Sequence, residues 1–467
     1  MVVCLGIAVF VPVHGATAVL VCASAAVVAG FFVRRADRTN NNFLLYLFVF
    51  GLLARMIVGT LIFSLNLQEF FGGDALTYDR LGAGMLKAWQ GDPYYKNILR
   101  GYESAGWGMA YLVGGIYVAV GRNPLAVQLF NAVIGAATAP VAYLCAQHMF
   151  QNTRVARSTA LFITFFPSLI LWSSQGLKDG PIIFCLAIAM LATLKLGEKL
   201  SPKYFLLLVG GLGGLLSLRF YVFYMAVAAS AGAFFLGMRR VTGRSLARQV
   251  FVIIAVGLTM TSFGVLQRAN QQLETYGNLE RVQVSRADLA TAGSGFARDV
   301  DVSTTSGALR TIPLGIVYLL FAPFPWELTN LRQSLTLPEM LVWWACFPLL
   351  ITGIWFTLRY RMRQALPILI FTTMLTLAYS LFQGNVGTAY RQRSQVLVFY
   401  FIFVSVGAVL LKERSEERGR LVLLKKEELL KAAQARQARR LYEQWRLERD
   451  REWSDIARGL SEKIDNG

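Results

Sequence analysis

Charge is scarce in this sequence: Asp, Glu, Lys and Arg make up 16% of the 467 residues, where a soluble domain carries about a quarter. Histidine is scarcer, with only His14 and His148. The five cysteines, Cys4, Cys22, Cys145, Cys185 and Cys346, all lie inside apolar runs. No CxxC and no metal-type Cys/His cluster can be built from these residues, so they read as packing or lipid-facing side chains. Acidic residues are also few, 27 against 46 Lys+Arg, for a net charge of +19. In a soluble chain that excess would suggest nucleic acid. Here the basic residues sit between apolar runs and in the tail, so nucleic acid is not the expected partner. No internal repeat of solenoid period is visible.

Apolar length is what the chain has in abundance, at 55% hydrophobic residues and a mean hydropathy of +0.49. A helix needs roughly 20 apolar residues to cross a bilayer. The first run lacks a basic leader and continues to Arg34-Arg35, unlike a signal peptide. Basic clusters at Arg34/Arg35/Arg38, Arg154/Arg157, Lys195/Lys199/Lys203, Arg239/Arg240/Arg244/Arg248 and Arg359/Arg361/Arg363, with the tail from Lys412, read as cytoplasmic. That assignment gives an all-α polytopic membrane protein of about eleven spans. They run over 2–33, 43–66, 123–149, 158–174, 180–197, 203–218, 221–238, 250–267, 338–358, 365–383 and 394–411. The amino terminus is then outside and the carboxyl terminus inside. Segments 106–120 and 309–322 are short and flanked by Gly, Pro and Trp. They are expected to be interfacial or re-entrant helices. Segments 67–122, 175–179, 268–337 and 384–393 then share the outer face. The tail 412–467 reads as an amphipathic helix, with Leu421, Leu424, Leu429, Leu430, Leu441 and Trp445 loosely on one face, lying on the membrane surface or against a partner helix.

The residues suited to chemistry fall in those outer segments. Phe71-Gly72-Gly73-Asp74-Ala75-Leu76-Thr77-Tyr78-Asp79 places Asp74 at the start of a helix, with Tyr78 one turn on. Asp74 is a general base or a helix cap. In Gln175-Gly176-Leu177-Lys178-Asp179-Gly180-Pro181, Lys178 either snorkels or faces a ligand, and Asp179 again could cap a helix. Arg219 interrupts a short apolar hairpin and reaches headgroups or an anion. Tyr390-Arg391-Gln392-Arg393 puts two arginines on the side where basic residues are rare, and a phosphate would explain them. Asp299 and Asp301 form a D-x-D, a spacing that can hold a divalent cation; no other cofactor is called for. Pro323-Phe324-Pro325-Trp326-Glu327 cannot be regular helix and reads as a rigid aromatic wall against sugar or interface.

Asp74-Ala75-Leu76-Thr77-Tyr78 resembles the D-x-x-x-Y signature of GT-C membrane glycosyltransferases, which include protein O-mannosyltransferases and lipid A aminoarabinose transferases. The similarity continues through Asn123–Phe150, Phe166-Pro167, Lys178-Asp179 and Tyr390–Arg393. It covers roughly residues 43–411, with 1–42 as an added amino-terminal helix and loop and 412–467 as a cytoplasmic tail. The resemblance implies an inverting transferase taking a sugar from a polyprenyl-phosphate donor to a glycan, lipid or protein acceptor on the non-cytoplasmic face of a bacterial membrane. Cell-surface polysaccharide, glycolipid or glycoprotein synthesis would be its setting. By motif position Asp74 would be the base and Asp179 the second acid. Lys178, Arg219, Arg391 and Arg393 would bind the donor phosphate, and Tyr78, Asp79, Trp326 and Glu327 the substrates. Many relatives have Glu after the first Asp where this chain has Ala75; paired carboxylates and a metal held by them are not implied. A lipid-linked glycan polymerase or ligase, or a flippase, is the competing expectation; transporters usually place ionisable groups nearer the bilayer midplane.

Overall fold

The computed structural model describes the chain apart from residues 1, 101–106, 238–242, 263–264, 266–277, 292, 329 and 466–467. Arg239, Arg240 and the stretches 101–106 and 268–277 of the two long loops therefore lie outside the described residues. Two compact units are present, Met1–Gly407 and Ala408–Gly467. The described residues are all-helical, as expected from the sequence.

The first unit is organised around one helix. The helices α1 (Val2–Phe10), α2 (Gly15–Ala36) and α3 (Asn41–Ser64) precede a small group made of α4 (Asp74–Trp89), α5 (Pro93–Arg100) and α6 (Gly108–Val120). Next comes α7 (Pro124–Phe150), buried on nearly every side and touched by α2, α3, α8 (Thr153–Phe165) and α10 (Asp179–Glu198). A helix apolar all round belongs at the centre of a bundle. Its ends are written locally. Asn123 caps it by accepting from the Ala126 N–H at 3.1 Å, and Pro124 occupies the first turn, where its missing donor costs nothing. Asn123 also donates to the His14 carbonyl and to Thr17 Oγ1, which ties α7 to α2.

A bent pair follows: α8 stops at Phe165 and α9 (Pro167–Ser173) restarts at 56°. Pro167 causes the break, because it has no N–H to continue the ladder and disfavours helical backbone at Phe166. After α10 come α11 (Pro202–Leu218), α12 (Phe220–Leu236), α13 (Gly243–Ser262), α14 (Leu279–Thr291), α15 (Thr305–Phe321), α16 (Leu331–Phe356) and α17 (Met362–Phe382). A short π-helical stretch at Thr357–Arg361 joins α16 to α17. Last is α18 (Val386–Asp465), whose residues from 408 onward form the second unit. In that unit the apolar residues of the tail, including Leu421, Leu429 and Trp445, are exposed.

Six helices among the described residues are long and apolar enough to cross a membrane, or seven if the bent pair counts as one. Eleven spans are not confirmed. Several of the expected crossings are apolar helices of only 10–17 residues, such as Pro202–Leu218 and Phe220–Leu236. A rise of about 1.5 Å per residue brings 17 residues to roughly 25 Å, short of a hydrocarbon core of about 30 Å. The two segments expected at the interface, Gly108–Val120 and Thr305–Phe321, are helices of that short class.

Close backbone packing replaces water-driven burial where helices meet in lipid. Gly353 of α16 is an example: a Cβ there would lie 1.8 Å from the Phe403 carbonyl oxygen, and one on Gly407 would lie 2.1 Å from the Leu349 carbonyl oxygen. Gly353→Ala should therefore lower the unfolding temperature of detergent-purified protein, at a cost of about 1–3 kcal/mol from overpacking. Gly257→Ala, with open space around it, should instead gain up to about 1 kcal/mol in helix propensity. Equal effects of both substitutions would contradict this contact.

Candidate functional site

The first turn of α4 begins at a pair of glycines in left-handed backbone, Gly72 at φ 125° and Gly73 at φ 60°. Only glycine takes such angles without steric cost, so the Gly-Gly step is what swings Asp74 to the helix start. Gly73, not Asp74, occupies the cap position, and no side chain caps the helix. The Asp74 carboxylate is thereby left for another partner: Arg391 Nη1 donates to Asp74 Oδ2 at 2.5 Å. The same guanidinium donates from Nε to Asp179 Oδ2 at 2.8 Å, and its Nη2 lies 2.6 Å from that oxygen. At the start of α10 the cap position belongs to Lys178, so Asp179 is not a cap either. Both capping alternatives for these acids give way to one shared arginine.

Burial differs sharply across this triad. Asp179 is fully buried, whereas half of the Asp74 side chain is open to solvent. Asp179 Oδ1 has no hydrogen-bond partner among the described residues. Arg391 is the group that makes burial of Asp179 tolerable, since an unpaired interior carboxylate is costly. Beneath it lies the Trp172 ring, 5.7 Å from Cζ, a stacking geometry that suits a planar guanidinium.

Two further cations complete the cluster. Lys178 Nζ stands 5.9 Å from the centre of the Tyr78 ring, so Tyr78, one turn after Asp74, forms its floor. Burial and the neighbouring Arg219 push the Lys178 ammonium down to about 8, against the pull of Asp179. The Tyr78 hydroxyl is pushed up to about 12 by burial and by Asp74 and Asp179, so it is a neutral donor at physiological pH. Arg219 sits at the break between α11 and α12, where its backbone is extended (φ −157°). It donates to the Tyr379 hydroxyl at 3.3 Å, and Tyr379 in turn donates to Gln395 Oε1 at 2.8 Å. With Lys178 protonated, Lys178, Arg219 and Arg391 outweigh Asp74 and Asp179 by one positive charge.

The turn that carries Lys178 and Asp179 is fixed from beneath. Asn131 of α7 donates from Nδ2 to the carbonyls of Gln175 and Leu177, both at 2.8 Å. Gly59 of α3 leaves room for this turn, since a Cβ there would meet the Ser174 carbonyl oxygen at 2.7 Å. Asn131, Tyr379 and Gln395 are not among the residues that the motifs single out. A polar residue inside an apolar span is a usable signal for Asn131; Tyr379 and Gln395 give none that separates them from ordinary span residues.

Other candidates stand elsewhere. Arg393 is completely buried and donates from Nη1 to the carbonyls of Leu320 at 3.0 Å and Ala322 at 3.1 Å. It closes the carboxyl end of α15, a usual place for a cation, and is not presented to the cluster. Asp79 accepts from the Tyr117 hydroxyl at 2.6 Å and from both Nε and Nη2 of Arg122. That network ties α4 to α6 and the turn after it. Trp326 is 76% exposed and stacked on Phe324, and Glu327 accepts from the Tyr318 hydroxyl at 3.1 Å. Asp301 Oδ1 accepts from the Ser303 N–H at 2.8 Å. Among the described residues, no group of three or more His, Cys, Asp or Glu side chains comes together as a metal site would need.

No curated protein matches the chain, and no solved structure does. One family model does: residues 106–264 match the family described as dolichyl-phosphate-mannose-protein mannosyltransferase. The match takes in the central helix α7, Asn131, the Lys178-Asp179 turn and Arg219. Over this stretch the chain is similar to a membrane glycosyltransferase family of the GT-C kind, the kind its motifs resemble.

Proposed function

We propose that this protein transfers a sugar from a polyprenyl-phosphate-linked donor to an acceptor hydroxyl on the non-cytoplasmic side of the membrane, with inversion at the anomeric carbon. The observation that carries the reading is a half-exposed carboxylate, Asp74, held by Arg391 in one positively charged cluster that includes Lys178 and Arg219. Asp74 takes the proton from the acceptor hydroxyl as its oxygen bonds to the anomeric carbon. The carbon–oxygen bond to the phosphate breaks, and the departing polyprenyl phosphate keeps the electron pair. Lys178 and Arg219 stabilise the charge that grows on it. The phosphate leaves as an anion, so no second acid is needed to protonate it.

Arg391, engaged by both carboxylates, serves this reaction by orienting Asp74 and neutralising Asp179. Arg393 drops out of the phosphate set, because it is fully buried, with Nη1 on backbone carbonyls and Nη2 on Met340 Sδ. Tyr78 stays as a neutral donor beside the donor headgroup. Asp79, Trp326 and Glu327 have no role in the chemical step on this reading; Trp326 and Glu327 remain candidates for holding the acceptor, and a divalent cation is not required. The family description names a mannosyl lipid donor and a protein acceptor, which makes polyprenyl-phosphate mannose the first donor to try. The basic clusters, which in the sequence fall in the loops alternating with those of Asp74 and Lys178, support the non-cytoplasmic side. On the extent of the resemblance, residues 43–411 are taken as the catalytic core.

Lys178→Ala and Arg219→Gln should each lower kcat/KM for the donor by about ten- to a hundredfold, the loss of one charge-assisted contact of about 1.5–3 kcal/mol. The pH dependence has a defined sign. Lys178 is charged below its folded-state value of about 8 and neutral above it, so donor use should fall as pH rises through that value. In Lys178→Ala that limb should vanish. Purified protein in liposomes with a radiolabelled donor is the assay, and donor kinetics indifferent to both substitutions would remove the phosphate site.

A further inference from the structure

Arg55 lies in the middle of the apolar helix α3 and is buried to 1% exposure. No motif marks it, yet an arginine within a span is costly and needs a reason. Its donors have specific destinations. The helix break at Pro167 frees two carbonyls of α8: Ile163 O, whose usual donor would be the missing Pro167 N–H, and Thr164 O beside it. Arg55 donates to both, from Nη2 to Ile163 O at 3.4 Å and from Nη1 to Thr164 O at 3.1 Å. Nη1 also reaches the Gly51 carbonyl of its own helix at 3.0 Å. The remaining donor, Nε, goes to Ser173 Oγ at 2.8 Å, at the last residue of α9. One guanidinium therefore holds both limbs of the bent pair, the end of α8 and the end of α9.

Immediately after Ser173 the chain turns toward Lys178 and Asp179. Ser173 is packed so closely that a Cβ on Gly135 of α7 would meet its Oγ at 2.5 Å. Its position is thus transmitted rather than absorbed. We infer that Arg55 is a positioning residue, which sets the placement of Lys178 and Asp179 through Ser173 and the bent α8–α9 pair. The inference rests on the glycosyltransfer reading only for its bearing on turnover; its structural content is where the Lys178 amine sits.

That content can be read without any sugar. The groups facing Lys178 are Tyr78 and Asp74 from α4, Asp179 beside it, Arg219 from the α11–α12 break and Arg391 from α18. An amine displaced from them loses both its burial and the repulsion of Arg219, and regains ordinary lysine behaviour. The experiment measures the pH dependence of Lys178 labelling by an amine-reactive reagent in the full-length protein in detergent, resolved by mass spectrometry. Arg55→Lys, which keeps the charge but loses the fork, should move the labelling midpoint upward from about 8 by one pH unit or more. Ser173→Ala, which removes only the Nε partner, should move it the same way by a smaller amount and serves if Arg55→Lys does not fold. Donor transfer is measured in parallel and should fall with the midpoint shift. A lower unfolding temperature with an unmoved midpoint in the folded variants would make Arg55 a purely structural pin and overturn the inference. A shifted midpoint in a protein that transfers no sugar even as wild type would leave Arg55 standing and sink the transfer reading instead.

Discussion

Asp74→Asn should cost about a hundred- to ten-thousandfold in the rate of sugar transfer, the range over which a positioned general base contributes. Asparagine keeps the shape and can still accept from Arg391, so the first turn of α4, the Gly72-Gly73 step and insertion into the membrane should be unaffected. Donor binding should change little, because Lys178 and Arg219 remain. The loss should therefore appear in kcat and not in KM for the donor, as expected for a group acting in the transition state. Purified Asp74→Asn in liposomes with polyprenyl-phosphate mannose checks this. Turnover near the wild-type rate would sink the assignment of the base. Asp79→Asn is the matched control: that carboxylate is committed to Tyr117 and Arg122, so its loss should be felt in stability and spare most of the chemistry.

The largest effect on stability is expected at Arg391. Asp179 is fully buried, and Arg391 is its only ion-pair partner among the described residues. Arg391→Met would leave the carboxylate in the interior without its ion-pair partner, a change that typically costs about 3–5 kcal/mol. The physics is asymmetric. Removing both charges, as in Arg391→Met with Asp179→Leu, should recover much of that loss, since a buried pair replaced by apolar side chains of similar size is often close to neutral. Unfolding of the detergent-solubilised single and double variants measures the difference. A double variant no more stable than Arg391→Met would mean that Arg391 does not act by neutralising Asp179. Neither variant should transfer sugar, because Asp74 would have lost the partner that orients it.

These expectations differ from those the motifs alone suggest, and the reason is geometric. Arg391 and Arg393 are two residues apart in one helix and look equivalent in the sequence. On a helix, positions i and i+2 point to different sides, and the two side chains part accordingly: one meets Asp74 and Asp179, the other meets the carbonyls at the end of α15. The two acids are ambiguous in the opposite way. Each stands before a helix, where an aspartate is an ordinary cap, and nothing local says that a single arginine more than two hundred residues from Asp179 would claim both. Asn131 and Arg55 show a third kind of gap. Their types stand out in apolar runs, but their partners are backbone carbonyls exposed by a turn and a proline break, and no pattern along the chain names such partners.

Length is what leaves the eleven spans unconfirmed. Apolar runs of the right mean hydropathy became helices of 17 residues or fewer once Pro202 and Arg219 had set their ends. Hydropathy registers the transfer of side chains, while a crossing also requires enough rise.

The sequence by itself determined that this chain is a helical membrane protein. It also determined the Gly72-Gly73-Asp74 helix start, the cap of α7 and the break at Pro167, because each depends on the length of an apolar run or on the backbone preferences of residues next to one another. It carried the resemblance to a glycosyltransferase family as well, through motifs in order along the chain. Only the tertiary structure decided which cations face an open carboxylate and which are spent on closing helices. Hydrogen-bond donors buried in a helical bundle go to whatever acceptor packing brings within about 3 Å, and that is settled by contacts between residues far apart in the chain.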